Sequence, residues 1–380
     1  MNIILLAIAP FFLLFTLIKA LPSAGIKCLP KRLVLFSLVW IALSALNVVH
    51  IIGFILDALL FRKARQLPVK APVFVLGVPR SGTTFLQRVL ANDASLTTLR
   101  TWECILAPSI SERYFWQAVA FLGRPFVGLV ERAQQRLFVR MDNIHTIRLD
   151  EPEEDFLLFL SIHACFLLFV LAPNSKYIWQ LSQFDQQLPA WWRRLVMQYY
   201  YSCLQKHLYF HGSDLRILSK NPSFTSMMTS LSQTFPDAKF IACTRDPETV
   251  VASQLSSLKP SVALFASMAT FKQIQQPLLN SLAAYYEIVA HWASQPNCVL
   301  VPMSQIKTEL VSTTKAIYQF CHLEVTDAFA EQLEQQAQAS RQYSSGHQYS
   351  LLEYHIGEDD IRRFFMPAWR QHQALSMQGA

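Results

Sequence analysis

Charge is scarce in this 380-residue chain. Asp, Glu, Lys and Arg together make up 16% of it, while 52% is hydrophobic; a soluble domain typically carries about 25% charged residues. The shortage excludes a disordered or fibrous protein and argues against a wholly soluble one. Acid is scarcest at the start: residues 1–70 hold eight bases and one acid, Asp57, and the rest of the chain is charge-balanced. The formal net charge of +7 therefore belongs entirely to the first seventy residues. A basic, nucleic-acid-binding body is excluded, and the charge reads as the flanks of membrane segments. Paired cysteine is missing too. The seven cysteines are odd in number and show no C-x-x-C spacing, and Cys165, Cys243 and Cys298 sit in apolar runs. There a free thiol behaves as a small hydrophobe. This speaks against a disulfide scaffold or a zinc site and for a reducing, cytosol-facing compartment.

What the first seventy residues do contain is apolar length. Residues 3–18 are uncharged and nearly all apolar. With its flanks, residues 1–21, the run approaches the roughly 20 residues that cross a bilayer. Its cations follow it, where a signal peptide places them before, so a retained transmembrane helix is expected. A second run covers 33–61 and sets Ser44, Asn47, His50 and Asp57 along one helical face. It reads as a second span or an interfacial helix, with that stripe turned to headgroups or to the body. Bases flank both ends, so the positive-inside rule sets no orientation.

After a short linker, Gln66–Pro72, β-like runs alternate with helical spacing. Val73–Gly77, Leu215–Ser219, Lys239–Thr244 and Cys298–Pro302 are short apolar runs closed by turn or polar signals. Such alternation predicts an α/β domain over residues 70–375, with a parallel sheet flanked by helices and ligands beyond the carboxyl ends of the strands. The acid cluster Glu151–Asp155 precedes an apolar run, Phe156–Ala172, expected to be a buried core helix, with a third span as the alternative. Gln332–Gln338 reads as solvated helix.

The first strand runs into Val78-Pro79-Arg80-Ser81-Gly82-Thr83-Thr84 and then a helical pattern. Glycine permits a tight turn around an anion, and a helix start offers free N–H donors at a positive dipole end. Gly77 and Gly82 have Walker A spacing, but Thr83 stands where that loop needs lysine, and the cation is Arg80 instead. A phosphate cradle without productive ATP–Mg²⁺ binding is expected. Further on, strand Lys239–Thr244 meets Arg245-Asp246-Pro247, with Ser253 two helical turns later. Asp246 and Pro247 suit a helix start, which puts Arg245 beside an anion-friendly terminus. Read alone, Arg-Asp-Pro is a surface cap.

Together these motifs resemble the PAPS-dependent sulfotransferases, P-loop-related α/β proteins that use 3′-phosphoadenosine-5′-phosphosulfate. The loop Pro79–Thr84 is similar to the 5′-phosphosulfate loop of the bacterial and tyrosylprotein/Golgi branches. The resemblance implies that Arg80, Ser81, Gly82, Thr83 and Thr84 hold the phosphosulfate and that Arg245 and Ser253 bind the 3′-phosphate. Lys220, in Ser219-Lys220-Asn221-Pro222, resembles the lysine placed on the transferring sulfuryl group. Glu103, in Thr101-Trp102-Glu103, resembles the general base of those branches; by itself it reads equally as a helix-cap or ion-paired glutamate. His145 is the rival base. The turn Met303-Ser304-Gln305-Ile306 departs from the family's Tyr-Glu-Asp-Leu-like turn, and the Arg-Lys-Gly motif of cytosolic members is absent.

The implied function is sulfuryl transfer from PAPS to an acceptor hydroxyl or amine, on a glycan or lipid-linked molecule. The implied partners are a nucleotide donor, an acceptor and a membrane, with no nucleic acid and no metal. If the source is bacterial, the catalytic domain faces the cytoplasm. The alternative is a membrane-tethered nucleotide-binding or interaction protein with a degenerate loop and no transfer activity.

Overall fold

The computed structural model describes residues 1–24, 29–123, 151, 152, 154–265, 268–342, 351, 354 and 356–378. Two long helices come first, α1 (Asn2–Ala20) and α2 (Leu29–Leu60). The body follows with β1 (Val73–Gly77), α3 (Thr83–Leu90), β2 (Leu96–Thr97), α4 (Thr101–Ile105) and α5 (Ile110–Gly123). Beyond two 3₁₀ segments come α6 (Lys176–Leu181), α7 (Phe184–Gln187), α8 (Ala190–His211) and β3 (Arg216–Lys220). A 3₁₀ turn leads to α9 (Met228–Thr234), β4 (Lys239–Thr244), α10 (Pro247–Phe265), α11 (Met268–Trp292) and β5 (Cys298–Pro302). The chain closes with α12 (Met303–Thr308), α13 (Leu310–Cys321), α14 (Asp327–Gln342) and α15 (Glu358–Gln378).

The five strands form one parallel sheet in the order β2-β3-β1-β4-β5. Side chains alternate across a strand, so β1 feeds two cores at once. Phe74 and Leu76 pack into the larger one and Val73 and Val75 into the smaller, with helices on both faces. The carboxyl ends Gly77, Lys220 and Thr244 then share one edge of the sheet, where the β1–β3 switch leaves a crevice.

The sequence-based strands hold with small changes. The third slides by one residue to Arg216–Lys220, which makes Lys220 the last paired position, opposite Val75. The two-residue β2 is too short to leave a pattern. Phe156–Ala172 is a correction: it is no continuous helix but two 3₁₀ segments, Asp155–Ile162 and Phe166–Val170. They part at His163, which adopts φ 56 and ends the first segment. The side chain of His163 pairs with Thr16 Oγ1 of α1 at 3.0 Å, and the carbonyl of Ser161 accepts a hydrogen bond from Asn47 of α2 at 2.8 Å. The segment bends to meet those partners.

The polar stripe of α2 faces the body. Asn47 also reaches the Leu6 carbonyl, and His50 Nδ1 lies 2.6 Å from Glu112 Oε1. The Asp57 carboxylate accepts from the N–H groups of Ile110 (2.9 Å) and Ser111 (2.8 Å), capping α5, and pairs with Lys206 of α8. The six described cysteines, Cys104, Cys165, Cys203, Cys243, Cys298 and Cys321, are free and buried.

Candidate active site

The loop after β1 is shaped by two glycines. Gly77 has φ 118, and a Cβ there would lie 2.1 Å from the carbonyl oxygen of Cys243, so the turn is pressed against β4. Gly82 has φ 87 and opens α3. Three further contacts fix the turn. Val78 N–H donates to the Cys243 carbonyl (3.0 Å). The Thr225 hydroxyl accepts from Gly77 N–H (2.8 Å) and donates to the Gly77 carbonyl (2.7 Å). Ser81 Oγ, fully buried, donates to the Val78 carbonyl (2.6 Å). The Ser81 side chain thus shapes the loop from inside, while Gly82, Thr83 and Thr84 line the cavity above it. First-turn N–H groups of α3 are oriented there by the helix itself.

Arg80 is exposed and held at φ 64, a region uncommon for a residue with a Cβ. Its Nε donates to Ser253 Oγ at 3.0 Å, and Arg245 Nη1 donates to the Arg80 carbonyl at 3.0 Å. These bonds join positions 173 and 165 residues apart. The two phosphate motifs, separate in the sequence, are one place in the fold. Tyr286 Oη donates to the Arg245 carbonyl (2.6 Å) and steadies that strand end.

Arg80 and Arg245 border a cavity of about 560 Å³ whose lining is of two kinds. One is cationic, with Arg80, Arg88 and Arg245. The other is apolar, with Phe156, Phe166, Leu167, Phe169, Leu258 and Leu282. The lining holds one acid, Glu154, whose Oε1 lies 3.0 Å from Lys220 Nζ. Lys220 itself is buried at 2% exposure and meets the cavity through that pair. Behind it, Asp155 is wholly buried, and its carboxylate accepts from Tyr200 Oη. Burial outweighs the Tyr200 and Ser219 hydrogen bonds and raises the Asp155 carboxyl to about 6.

Glu103 is not part of this site. It has no exposed surface and lines no part of the cavity. One oxygen caps its own helix by accepting Arg100 N–H (2.9 Å). The other meets His211 Nε2 (2.6 Å) and Arg113 Nη1 (3.4 Å). Burial would raise its pKa, but Arg113, His211 and His207 outweigh burial and hold it well below the usual carboxylate range. The residue expected as a general base thus stands in a buried ion pair, away from the cavity lining. His145 lies outside the described residues.

Glu103, His207 and His211 do bring ligand-type atoms within 4.8 Å of one another. The Arg113 guanidinium already occupies the cluster, with Nη1 3.2 Å from His207 Nδ1. An arginine has donors only, so that bond leaves His207 Nε2 to donate to Thr97 Oγ1 at 2.8 Å. The cluster is an ion-pair network of Glu103, Arg113, His207 and His211.

Glu154 is a cavity-lining acid that the sequence analysis did not single out. Its signal is an acid within Glu151–Asp155, ahead of an apolar run. What points it at the cavity is tertiary: Thr101 N–H donates to the Glu151 carbonyl (3.3 Å), and Pro152 bridges Arg100.

Comparison with known proteins points one way. A family model described as "Sulfotransferase family" matches residues 72–327, more than half of the chain. Omega-hydroxy-beta-dihydromenaquinone-9 sulfotransferase Stf3 of Mycobacterium bovis is 27% identical over 227 residues, 58% of this chain and 52% of that protein. Its counterpart in Mycobacterium tuberculosis matches equally. The chain spans about half the length of the curated relatives it matches. Among solved structures, sulfotransferase STF9 from Mycobacterium avium superposes with a TM-score of 0.71 at 18% identity, covering 91% of this chain and 86% of that one. Sulfotransferase STF1 from Mycobacterium tuberculosis gives 0.69 at 20% identity, covering 94% and 91%. At those identities the likeness shows the α/β fold.

Proposed function

The chain belongs to the sulfotransferase family, and from that premise we propose that it moves a sulfuryl group from PAPS to an acceptor hydroxyl at the cavity below Arg80. The observation that carries the reading is the Arg80–Ser253 and Arg245–Arg80 pair of hydrogen bonds, which makes one anion site from two motifs. Arg80 and the N–H groups opening α3 receive the 5′-phosphosulfate, and Arg245 and Ser253 the 3′-phosphate.

Glu154 is the base of this proposal, in place of Glu103. It is the one acid in a lining that holds both cationic and apolar side chains, and it pairs with Lys220. The acceptor oxygen attacks sulfur as its proton passes to Glu154. The bond from sulfur to the bridging oxygen breaks, and adenosine 3′,5′-bisphosphate leaves. Lys220, released from its pair with the carboxylate, neutralises charge on that oxygen. The apolar lining supports an acceptor whose hydroxyl is carried on an apolar body, the chemistry named for the Stf3 relatives. The two apolar N-terminal helices tether the chain to the membrane that holds such an acceptor.

The test is calorimetric titration of the full chain with adenosine 3′,5′-bisphosphate and, in parallel, ATP–Mg²⁺. We expect micromolar or tighter binding of the bisphosphate alone, lost in Arg245→Ala. No binding by the folded chain would overturn the donor assignment and leave a tethered interaction protein.

A further inference from the structure

The N-terminal hairpin is long and apolar enough to cross a bilayer twice, but its contacts with the body run along its whole length. Near the start of α1, the Leu6 carbonyl shares the Asn47 amide with the Ser161 carbonyl of the body. Ten residues on, about 15 Å along the axis, Thr16 meets His163. The Leu21–Ala24 turn packs on α11. At the far end of α2, Asp57 meets Lys206 and caps α5. A hairpin standing across the membrane would therefore draw His163, Ser161 and the 3₁₀ backbone of Asp155–Val170 to bilayer depth. Irregular backbone and paired charges are not tolerated there facing lipid.

The opposite side of the hairpin is exposed and, apart from Ser37, apolar. On α1 it comprises Ile4, Ile8, Phe11, Phe12, Phe15 and Ile18, with Phe11 at 72% exposure. On α2 exposed apolar residues recur every three or four positions from Leu33 through Ile41, Val48, Ile52 and Ile55 to Leu60. That stripe is about 40 Å long at 1.5 Å per residue, longer than the ~30 Å hydrocarbon core it would have to fit. Its margins are cationic. Lys19 and Lys31 stand exposed at the turn end, and Arg62, Lys63 and Arg65 at the other, while the hairpin's one acid, Asp57, is buried. A spanning hairpin separates its two ends by the whole bilayer. One lying flat brings both cationic ends to one layer of anionic headgroups.

We propose that α1 and α2 lie in the plane of the membrane, their outer stripe sunk into a single anionic leaflet, with the body seated on them and no segment of the hairpin crossing. This rests on the membrane association proposed above, and the experiment separates the two. In a Cys28→Ser background of the full chain, Pro22→Cys places a thiol in the exposed hairpin turn and Lys63→Cys one beside the body. Each is treated with a membrane-impermeant maleimide in right-side-out and inverted vesicles from an expressing bacterium. Both positions are expected to label from the same face. Labelling of Pro22→Cys from the face opposite Lys63→Cys, or only after detergent, overturns the in-plane arrangement while leaving membrane association standing. Recovery of the chain in the soluble fraction as a dimer, the stripe covered by a second copy, overturns both.

Discussion

Two glutamates ask the same question of the chemistry and receive opposite answers. Glu103 has an apolar neighbour in Trp102, yet its oxygens are filled by Arg113, His211 and its own helix cap. Glu154 borders the cavity at 27% exposure and pairs with Lys220. For Glu154→Gln we expect turnover to fall by about 10²–10⁴-fold with bisphosphate affinity unchanged, read from initial rates and calorimetry on the same preparation. For Glu103→Gln we expect lost stability instead, about 3–5 kcal/mol for breaking a buried pair, and a specific activity per folded molecule close to that of the parent. A rate loss confined to Glu103→Gln would restore it as the base.

At the scale of elements, the sheet edge and the hairpin each hang on a few contacts. Gly77 sits at φ 118 with backbone of β4 where a Cβ would go, and Gly82 at φ 87 with the flexible side chain of Met303 where a Cβ would go. A flexible side chain yields and a strand does not. Gly77→Ala should cost roughly 3 kcal/mol or more and Gly82→Ala distinctly less, compared by thermal unfolding in detergent. Equal losses would mean that φ alone, and not the approach to β4, sets the cost. The hairpin is bound to the body by Asp57, which caps α5 and pairs with Lys206. Asp57→Asn strands a buried cation, and we expect about 3 kcal/mol or more of lost stability, partly recovered when Lys206→Met is added. A chain cut at residue 62 would expose that whole interface, so the hairpin belongs in any preparation used for binding.

For the whole molecule, acid stability follows from buried titrating groups of opposing sign. Burial lowers His163 to about 4 and pushes His207 well below the ordinary imidazole range. Each is neutral in the native state and takes a proton more readily when unfolded. Their contribution is complete above the unfolded value of about 6.5 and declines as pH falls, by up to about 1.4 kcal/mol per unit for each group. Asp155 runs the other way, because burial raises it to about 6. Below that pH the native state holds a proton that the unfolded chain takes up only near 4, which adds stability as pH falls from about 6 to 4. The histidines outnumber it, so the unfolding temperature should drop between pH 7 and pH 5. The drop should steepen in Asp155→Asn, which removes the opposing group. A profile with equal slopes would show that Asp155 titrates alike in both states.

Much of this was legible in the residues alone, because it depends on local chemistry. Alternating short apolar runs and helical spacing determined the parallel α/β body, since period is a property of neighbours. The glycine turn after β1, and Arg245 at a strand end beside Asp246-Pro247, were legible for the same reason. Two uncharged runs with cationic flanks marked two long apolar helices. The rest was decided by contacts between distant segments. Glu154 rather than Glu103 faces the cavity because the Glu151–Asp155 stretch bridges to α4, which carries Glu103 into a buried ion-pair cluster. Phe156–Ala172 bends instead of running on as a helix because its polar atoms meet Thr16 and Asn47. The stripe Asn47, His50 and Asp57 turns inward because its partners Ser161, Glu112 and Lys206 lie in the body. No spacing within one run encodes a partner a hundred residues away, and it is those partners that set which acid borders the cavity and which face of the hairpin is left exposed.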